Sequence, residues 1–420
     1  MRIALLSYRG NMYCGGQGVY LYHLSRALAG CGHDVSILVG PPYPAETPWA
    51  RVYRLHDENF INRAQNFLPE PDPLSMFQPL HFCEFALSRL GPNPEMLAFS
   101  LRAFRLIRTI NRDKPFDIVH DNQCLGYGLY LIRSLGLATV ATIHHPLQID
   151  RKQDLLQPSG SAGLAGVATK AKRALYYPLF MQGWVARRLD RIITVSDFSR
   201  NLVAQTYRLD KSRLSTVYNG VDHLTFRPLP RPAKKRGGIL FVGSSEDRKK
   251  GILYLLRAMR LVNDRSLHLV IVDGRLYPGR VYARNLVREL GLSAQVSFRE
   301  KVSLPELISE YHQAEVAVLP SLFEGFGLPA LEAMACGTPL IATSAGALPE
   351  VTGPDGEAAL VVPPGDEGAL ARALRTILKN PSLQHRLSHA ARSRAERLFS
   401  WERAASSMEK IYKEAIESFS

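Results

Sequence analysis

The sequence predicts an α/β fold with two doubly wound parallel sheets. Short apolar runs of strand length alternate with amphipathic stretches of helical length along most of the 420 residues, a pattern typical of β-α-β units. The runs form two groups, and the segment 226–237 between them is rich in proline and charge, as expected of a linker. We therefore expect two Rossmann-like domains that face each other across a cleft, with ligands at the carboxyl ends of the strands.

Each predicted sheet is defined by its apolar runs. The first contains 3–7, 34–39, 116–120, 138–143 and 191–195. The second contains 238–242, 267–272, 295–298, 316–319 and 339–343. These runs predict an N-terminal domain over 1–228, a C-terminal domain over 229–400, and a final helix over 401–420.

Composition narrows the class of protein. The chain is 46% hydrophobic and 21% charged, an ordinary globular mixture. No apolar run approaches the roughly 18 residues that a membrane-spanning helix needs, and no secretion signal precedes the first strand, so we expect a cytoplasmic protein. The five cysteines show no paired spacing, which argues against a disulfide framework and against a zinc site.

The most informative motif is the stretch 324–332, Glu-Gly-Phe-Gly-Leu-Pro-Ala-Leu-Glu, which follows a predicted strand. Its glycines predict a turn, and Pro329 suits the first turn of a helix that carries Glu332 in its second turn. The free N–H groups at the start of that helix would face the loop, where they favour phosphate. The motif predicts a nucleotide-sugar site; the alternative is a solvated pair of glutamates beside an ordinary loop.

A second charged loop, 243–251, follows the strand 238–242 and reads Gly-Ser-Ser-Glu-Asp-Arg-Lys-Lys-Gly. Its three cations are Arg248, Lys249 and Lys250. A leaving nucleoside diphosphate gathers negative charge as the glycosidic bond breaks, so cations aimed at it stabilise the transition state more than the ground state. The alternative is a solvated charged turn.

The N-terminal half offers weaker signals. The run 14–18, Cys-Gly-Gly-Gln-Gly, follows the first strand and opens a helix, where backbone can approach a phosphate; a plain tight turn is the alternative. His120 ends the third predicted strand and His144 follows the fourth, where the cleft is expected. A histidine in such a place is as often structural as in contact with substrate.

The stretch 324–332 resembles the Glu, seven residues, Glu signature of family 4 glycosyltransferases, which are retaining enzymes of the GT-B fold. The resemblance continues in 219–222, 336–343 and 347–351. It implies that Glu324 lies near the transferred sugar and acts in catalysis, and that Glu332 holds the ribose hydroxyls of the donor. GT-B enzymes generally use no bound divalent ion, so we expect no metal and no cofactor.

The resemblance assigns further roles. It implies a set of donor contacts: Gly16, Ser244, Arg248, Lys249, Lys250, Gly325, Phe326, Gly327, Leu328 and Glu332. Gly15 would lie near the acceptor by this resemblance, and His144 would do so by its place at the end of a strand. His120, a second catalytic candidate near the acceptor, could as a neutral imidazole orient or polarise the attacking hydroxyl or contact the donor sugar. Family members commonly carry an arginine where this chain has Ser244, so it stays open which cation of the loop contacts phosphate.

These features predict a retaining glycosyltransferase that moves a hexosyl unit from a UDP- or GDP-sugar to a hydroxyl acceptor in glycan, polysaccharide or glycolipid synthesis. The N-terminal domain would bind the acceptor and the C-terminal domain the donor, with the final helix packed back on the N-terminal domain. One alternative is a GT-B sugar-nucleotide epimerase, which would turn over without an acceptor. Another is a noncatalytic regulator that kept the nucleotide pocket.

The formal net charge of +14 is unevenly distributed, because residues 150–236 hold 17 Lys and Arg against 6 Asp. We expect an anionic partner there, either a phosphorylated or lipid-linked acceptor or an anionic membrane surface that the enzyme would meet peripherally. No nucleic-acid-binding signature is present, so nucleic acid is not expected.

Two further segments carry predictions of their own. We expect acceptor specificity to lie in 57–102. The segment 155–188 is expected to form an amphipathic lid or interfacial segment, and the alternative is a set of helices packed on the domain.

Overall fold

The computed structural model describes residues 1–12, 16–56, 79–90, 94–156, 178–229, 235–273 and 281–419. The chain divides into two compact units. The first unit comprises Met1–Val195, Ser199–Val217 and Ala405–Ser420, and the second comprises Ser196–Phe198 and Tyr218–Ala404.

The first unit is built on a parallel sheet of seven strands. These are β1 (Arg2–Ser7), β2 (Asp34–Val39), β3 (Arg51–Arg54), β4 (Ile118–Asn122), β5 (Ala138–Ile143), β6 (Arg191–Thr194) and β7 (Leu214–Thr216). Their order is β3-β2-β1-β4-β5-β6-β7, and every pair is parallel. The direction of winding reverses between β1 and β4, and ligands of such sheets bind outside the carboxyl ends of the strands at that point.

Helices cover this sheet. They are α1 (Gly16–Gly30), α2 (Pro79–Leu90), α3 (Glu95–Asp113), α4 (Gly128–Arg133), α5 (Leu147–Leu156), α6 (Leu179–Ala186) and α7 (Asp197–Tyr207). Every residue of β1, β4 and β5 is buried, which explains why these strands read as continuous apolar runs rather than as alternating ones. Gly126 and Gly128 allow α4 to approach α3, since a Cβ on Gly128 would lie 2.0 Å from the Ser100 carbonyl oxygen.

The second unit repeats the plan with six strands. These are β8 (Gly238–Val242), β9 (His268–Asp273), β10 (Val296–Glu300), β11 (Val316–Leu319), β12 (Leu340–Thr343) and β13 (Leu360–Val362). The order β10-β9-β8-β11-β12-β13 places the switch point between β8 and β11. The helices of this half are α8 (Ile252–Val262), α9 (Tyr282–Glu289), α10 (Leu304–Gln313), α11 (Leu328–Ala335), α12 (Leu348–Thr352), α13 (Glu367–Leu378) and α14 (Pro381–Leu398). The last helix, α15 (Trp401–Phe419), belongs to the first unit from Ala405 onward.

Every predicted strand is present, and the two-sheet α/β prediction is confirmed. The prediction missed β3, β7 and β13, which are edge strands and have only three or four residues each, too few for a clear apolar pattern. The third predicted strand, 116–120, was placed wrongly. The strand runs from Ile118 to Asn122, so His120 lies at its centre and not at its end.

Parts of some predicted segments lie outside the described residues. These are 57–78 and 91–93 within the predicted specificity region, 157–177 within the predicted lid, 230–234 within the predicted linker, and 14–15 within the run 14–18. Among the residues that the structure describes, no helix is both long enough and apolar enough to cross a membrane.

Candidate active site

Two loops of the second unit meet at its switch point. One follows β8 and contains a 3-10 turn, Arg248–Lys250; the other follows β11 and leads into α11. Because β8 and β11 are neighbours, the loops lie side by side, and the Leu322 amide donates a hydrogen bond to the Lys249 carbonyl (2.7 Å). Gly251 permits this contact. A Cβ there would lie 1.9 Å from the Pro320 carbonyl oxygen, and its φ of +71° favours glycine.

Glu324 is fixed where the two loops meet. Lys250 Nζ and the Ser321 hydroxyl both donate to Glu324 Oε1, each at 2.8 Å, and the side chain is 9% exposed. The backbone of Glu324 is held as well, because its carbonyl accepts a hydrogen bond from the Ala347 amide (3.0 Å). Gly346 makes room for that contact, since a Cβ on it would lie 2.1 Å from the same carbonyl oxygen. The predicted catalytic carboxylate is therefore held rigidly beside one cation.

Glu332 lies on α11, which begins after Gly327 (φ +103°) and has Pro329 in its first turn. The Tyr311 hydroxyl, on α10, donates a hydrogen bond to Glu332 Oε2 (2.8 Å). Burial raises the pKa of Glu332 to about 7, while the Tyr311 hydrogen bond lowers that pKa. The structure thus places Glu332 on the helix that the sequence predicts, with one carboxylate oxygen oriented by a tyrosine.

The three cations of the β8 loop have different surroundings. Arg248 stacks over the Tyr282 ring, 4.9 Å from its centroid. Lys249 Nζ lies 3.8 Å from Asp247 Oδ2, whereas Lys250 pairs with Glu324. Of the three, Lys250 is the cation that the structure brings to the predicted catalytic carboxylate.

An aspartate at the end of the neighbouring strand holds the start of the β8 loop by hydrogen bonds. Asp273, the last residue of β9, accepts hydrogen bonds at Oδ2 from both the amide and the hydroxyl of Ser245, each at 2.8 Å. The neighbouring Ser244 hydroxyl is buried and has no hydrogen-bond partner within the described part of the chain. Ser244 is the position where the chain departs from the family pattern, and its hydroxyl is the polar group there that a donor could satisfy.

In the first unit, His120 lies inside the sheet. Its Nδ1 hydrogen bonds with the Tyr412 hydroxyl (2.6 Å) and its Nε2 with the Thr142 hydroxyl (2.8 Å), which also contacts the Tyr20 hydroxyl (2.7 Å). The residue is 1% exposed, and burial lowers the pKa of His120 to about 3. The imidazole is therefore neutral at physiological pH, and both of its nitrogens are engaged within the protein.

His144 follows β5 and belongs to a second uncharged network. Its Nε2 hydrogen bonds with Asn122 Oδ1 (2.8 Å), and Asn122 Nδ2 donates to the Ser7 hydroxyl (3.2 Å) and the Gln17 carbonyl (3.1 Å). Burial lowers the pKa of His144 to about 3 as well. Gly16 begins α1 beside this network and is exposed, whereas Gly15 lies outside the described residues.

Several residues of these networks were not singled out from the sequence: Ser321, Tyr311, Gly346, Asn122, Thr142 and Tyr412. Each acts on a predicted residue from another element, so no local pattern marks it. Ser321 differs from the others because it lies in the same loop as Glu324, three residues before it and two residues after the end of β11. The local sequence could therefore have marked its hydroxyl as a partner of Glu324.

Family models account for both halves of the chain. The model described as Glycosyltransferase Family 4 matches residues 14–223, and the model described as Glycosyl transferases group 1 matches residues 225–394. The chain belongs to the group 1, family 4 glycosyltransferases. Its two sheets, with the family's Glu motif after β11 of the second, are those of the GT-B fold that the resemblance implied.

Relatives of this family 4 glycosyltransferase span its length. It is 39% identical over 419 residues to an MMP alpha-(1->4)-mannosyltransferase of Mycolicibacterium hassiacum, covering 99% of this chain and 98% of that protein. It is 26% identical over 425 residues to a glycogen synthase of Mycobacterium tuberculosis, covering 98% and 94% of the two chains.

Solved structures share the fold of this glycosyltransferase. A sucrose-phosphate synthase from Thermosynechococcus elongatus aligns with a TM-score of 0.73 at 24% identity, covering 100% of both chains. An Anabaena protein solved in complex with UDP-glucose aligns with a TM-score of 0.69 at 16% identity, covering 99% of this chain and 100% of that one.

Proposed function

We propose that this glycosyltransferase transfers a mannosyl unit from a GDP- or UDP-linked mannose to a hydroxyl acceptor, with retention of the α configuration. The 39% identical relative supports mannose and the α linkage, because its name specifies α-(1→4) mannosyl transfer. The observation that carries the proposal is the Lys250–Glu324 pair beside the start of α11. It combines a cation for the diphosphate, a carboxylate for the sugar, and free N–H groups of a helix.

We assign the donor to the second unit. Lys250 would exchange its contact with Glu324 for the diphosphate, which carries more negative charge than one carboxylate. The N–H groups of Gly327 and Leu328 would meet the same anion, and Glu332 would accept hydrogen bonds from the ribose hydroxyls. Among the described residues no cluster of three metal-ligating side chains is present. We propose that Lys250 and the helix N-terminus supply the positive charge without a metal ion.

The proposed reaction is a substitution at the anomeric carbon on one face of the sugar. The bond from C1 to the diphosphate oxygen breaks, the acceptor oxygen bonds to C1, and the acceptor proton passes to the leaving diphosphate. Glu324 stabilises the positive charge that develops on the sugar. We propose that His120 does not act as the base, since both of its nitrogens are hydrogen bonded to the Tyr412 and Thr142 hydroxyls. Its role would be to hold these two side chains in place below the acceptor.

We further propose a cytoplasmic enzyme whose acceptor is a hydroxyl of a glycan or glycolipid. The first unit would present that hydroxyl, and its uncharged network around Asn122 and His144 suits a neutral alcohol. The positive charge of residues 150–236 supports an anionic partner, such as a phosphorylated or lipid-linked acceptor.

Thermal stability with saturating GDP or UDP tests the donor assignment. A nucleotide at a hundredfold its dissociation constant stabilises the folded protein by about 2.7 kcal/mol. We expect a shift with one nucleotide and none when the same nucleotide is added to Glu332→Ala. A panel of matching sugar nucleotides, with and without a mannosyl glycan, then tests transfer. No shift with either nucleotide would favour a noncatalytic regulator, and turnover without an acceptor would favour an epimerase.

A further inference from the structure

The first unit carries an open concavity of about 510 Å³ that includes none of the residues to which donor or acceptor contacts are assigned above. Five arginines line it: Arg133, Arg187, Arg188, Arg191 and Arg213. It lies at the amino ends of the strands, because Arg191 is the first residue of β6 and Arg213 directly precedes β7. The networks around Asn122 and His144 follow the opposite ends, about 10 Å away along a four-residue strand.

Backbone carbonyls hold two of these guanidinium groups in place. Arg213 donates from Nη1 to the Arg187 carbonyl (3.0 Å) and from Nη2 to the Leu189 carbonyl. Arg187 in turn donates from Nη1 to the Tyr207 carbonyl (3.1 Å). A carbonyl orients a guanidinium but does not cancel its charge, and each arginine has five N–H donors. Both side chains are therefore fixed and keep donors for a ligand.

A third guanidinium is held by an aromatic ring. Arg188 Cζ lies 3.8 Å from the centroid of the Trp184 ring, and Arg188 Nη1 donates to the Trp184 carbonyl (3.0 Å). The Trp184 ring packs edge to face against Tyr130, which is 41% exposed and also lines the concavity. Stacking of this kind orders an arginine that would otherwise move freely in solvent.

The carboxylates nearby offset little of this charge. Asp190 is used by Arg133, which donates to its Oδ1 from Nε (3.0 Å) and Nη2 (2.9 Å), and by the Thr139 amide (2.7 Å). Glu414 Oε2 is 4.0 Å from Arg191 Nε, beyond hydrogen-bond distance. Arg187, Arg188 and Arg213 make their side-chain hydrogen bonds, in the described part of the chain, to carbonyls alone. The concavity thus has a net positive charge.

We propose that this concavity is a binding site for a phosphate group carried by a larger molecule. Ordered guanidinium forks match the geometry of phosphate oxygens, and several of them around one concavity suit a group with two or more negative charges. The volume is in the range of ligand sites and exceeds what a lone anion fills. The phosphate belongs either to a soluble phosphorylated molecule or to a lipid headgroup. The inference does not depend on the proposed mannosyl transfer.

The test compares two double variants with the unmodified protein. Arg188→Gln with Arg191→Gln removes two positive charges from the concavity without breaking the carbonyl contacts of Arg187 and Arg213. Arg397→Gln with Arg403→Gln is the control, because both arginines are exposed, lie in the second unit and do not line the concavity. Circular dichroism confirms that all three proteins are folded.

Calorimetric titration with inorganic pyrophosphate at low ionic strength measures the site. Because the donor loop also offers cations to this anion, the measured quantity is the difference between the two double variants. We expect the concavity variant to lose about tenfold in affinity for a pyrophosphate binding event that the control retains, as removal of charge-assisted hydrogen bonds predicts. Equal affinity in both variants would overturn the proposal.

Flotation with vesicles of equimolar phosphatidylglycerol and phosphatidylcholine identifies the source of the phosphate. If the unmodified protein and the control float and the concavity variant does not, the ligand is a lipid headgroup. If none of them floats and pyrophosphate still distinguishes the variants, the ligand is soluble. Flotation of all three proteins, with identical pyrophosphate binding, contradicts a phosphate site in this concavity.

Discussion

Lys250 and Glu324, 74 residues apart in the chain, form an ion pair with 2.8 Å between Nζ and Oε1 at the carboxyl ends of neighbouring strands. The pair means that the cation proposed for the diphosphate and the carboxylate proposed for the sugar neutralise each other before the donor binds. Each charge is thereby held in place by an opposite charge, whereas either one left unpaired in this partly buried position would destabilise the fold. Donor binding and the charge of Glu324 are consequently linked through one lysine.

Lys250→Ala is expected to weaken nucleoside diphosphate binding by about tenfold or more, because it removes a charge-assisted contact. Lys249→Ala is the matched control, since Lys249 lies next in the chain but faces Asp247. Calorimetric titration of both variants with GDP and UDP checks this. Equal losses in the two variants would show that the structure does not select the phosphate contact within the loop.

Replacing the two glutamates separates binding from chemistry. Glu332→Ala is expected mainly to raise the KM for the sugar nucleotide, because it removes the ribose contacts. Glu324→Ala is expected mainly to lower kcat, because it removes a charge aimed at the reacting sugar. Steady-state kinetics at varied donor concentration distinguishes the two. If both variants lost kcat and donor affinity to the same extent while staying folded, the two assigned roles would be wrong.

Glu332 is expected to make stability depend on pH between about 4.5 and 7. Burial raises the pKa of the folded carboxyl to about 7 from its ordinary value of 4.5. The folded state therefore binds this proton more tightly than the unfolded state does. The resulting stabilisation is fully present below pH 4.5 and is lost as the pH rises from 4.5 through 7. The loss is at most about 3.4 kcal/mol. Urea unfolding should show this slope in the unmodified protein, and a shallower slope in Glu332→Gln.

His120 should act in the opposite sense. Burial lowers the pKa of the folded imidazole to about 3, so its unfolded form binds protons first and stability is lost as the pH falls below 6.5. Acidification from pH 7 to pH 5 should cost about 2 kcal/mol through this residue. His120→Gln should remove that part of the slope in urea unfolding. An imidazole resonance of His120 that titrates near pH 6.5 in NMR spectra would contradict the buried, neutral state.

Gly346→Ala should impair catalysis through the backbone of Glu324. The added Cβ would lie 2.1 Å from the Glu324 carbonyl oxygen, and the φ of +61° adds strain of about 1–2 kcal/mol. Gly356→Ala isolates the strain, because its φ is +78° and nothing lies within 4 Å of a Cβ there. We expect both variants to lose stability, and Gly346→Ala alone to lose kcat. Unchanged turnover in Gly346→Ala would show that the position of this carbonyl does not matter.

The sequence predicted those parts of the site that depend only on residues close together in the chain. The glycine turn and Pro329 specify the start of α11, so the placement of Glu332 on a helix needed no knowledge of the rest of the fold. The pairing of Lys250 with Glu324 was not predicted, because it depends on β8 and β11 being neighbours in the sheet. The distance between two loops follows from strand order, which an apolar pattern does not encode.

The position of His120 was predicted wrongly because the end of its strand was inferred from the apolar residues alone. The run 116–120 begins with Phe116, a core residue that packs outside the strand, and the strand extends instead through two polar residues to Asn122. Those residues look like a loop in the sequence because they are polar, yet Asp121 and Asn122 are buried. A shift of two residues moved the histidine from an expected strand end into the hydrogen-bonded interior.

The identical strand order of the two sheets, counted over their first six strands, has a chemical consequence. At equivalent switch points the first unit presents a serine, an asparagine and a histidine that stays neutral, whereas the second presents a lysine and two glutamates. One scaffold thus supplies an alcohol-like environment in one copy and an ionic environment in the other. The chemical difference between the units thus lies in side chains at the carboxyl ends of the central strands, whereas the order of those strands is the same in both sheets.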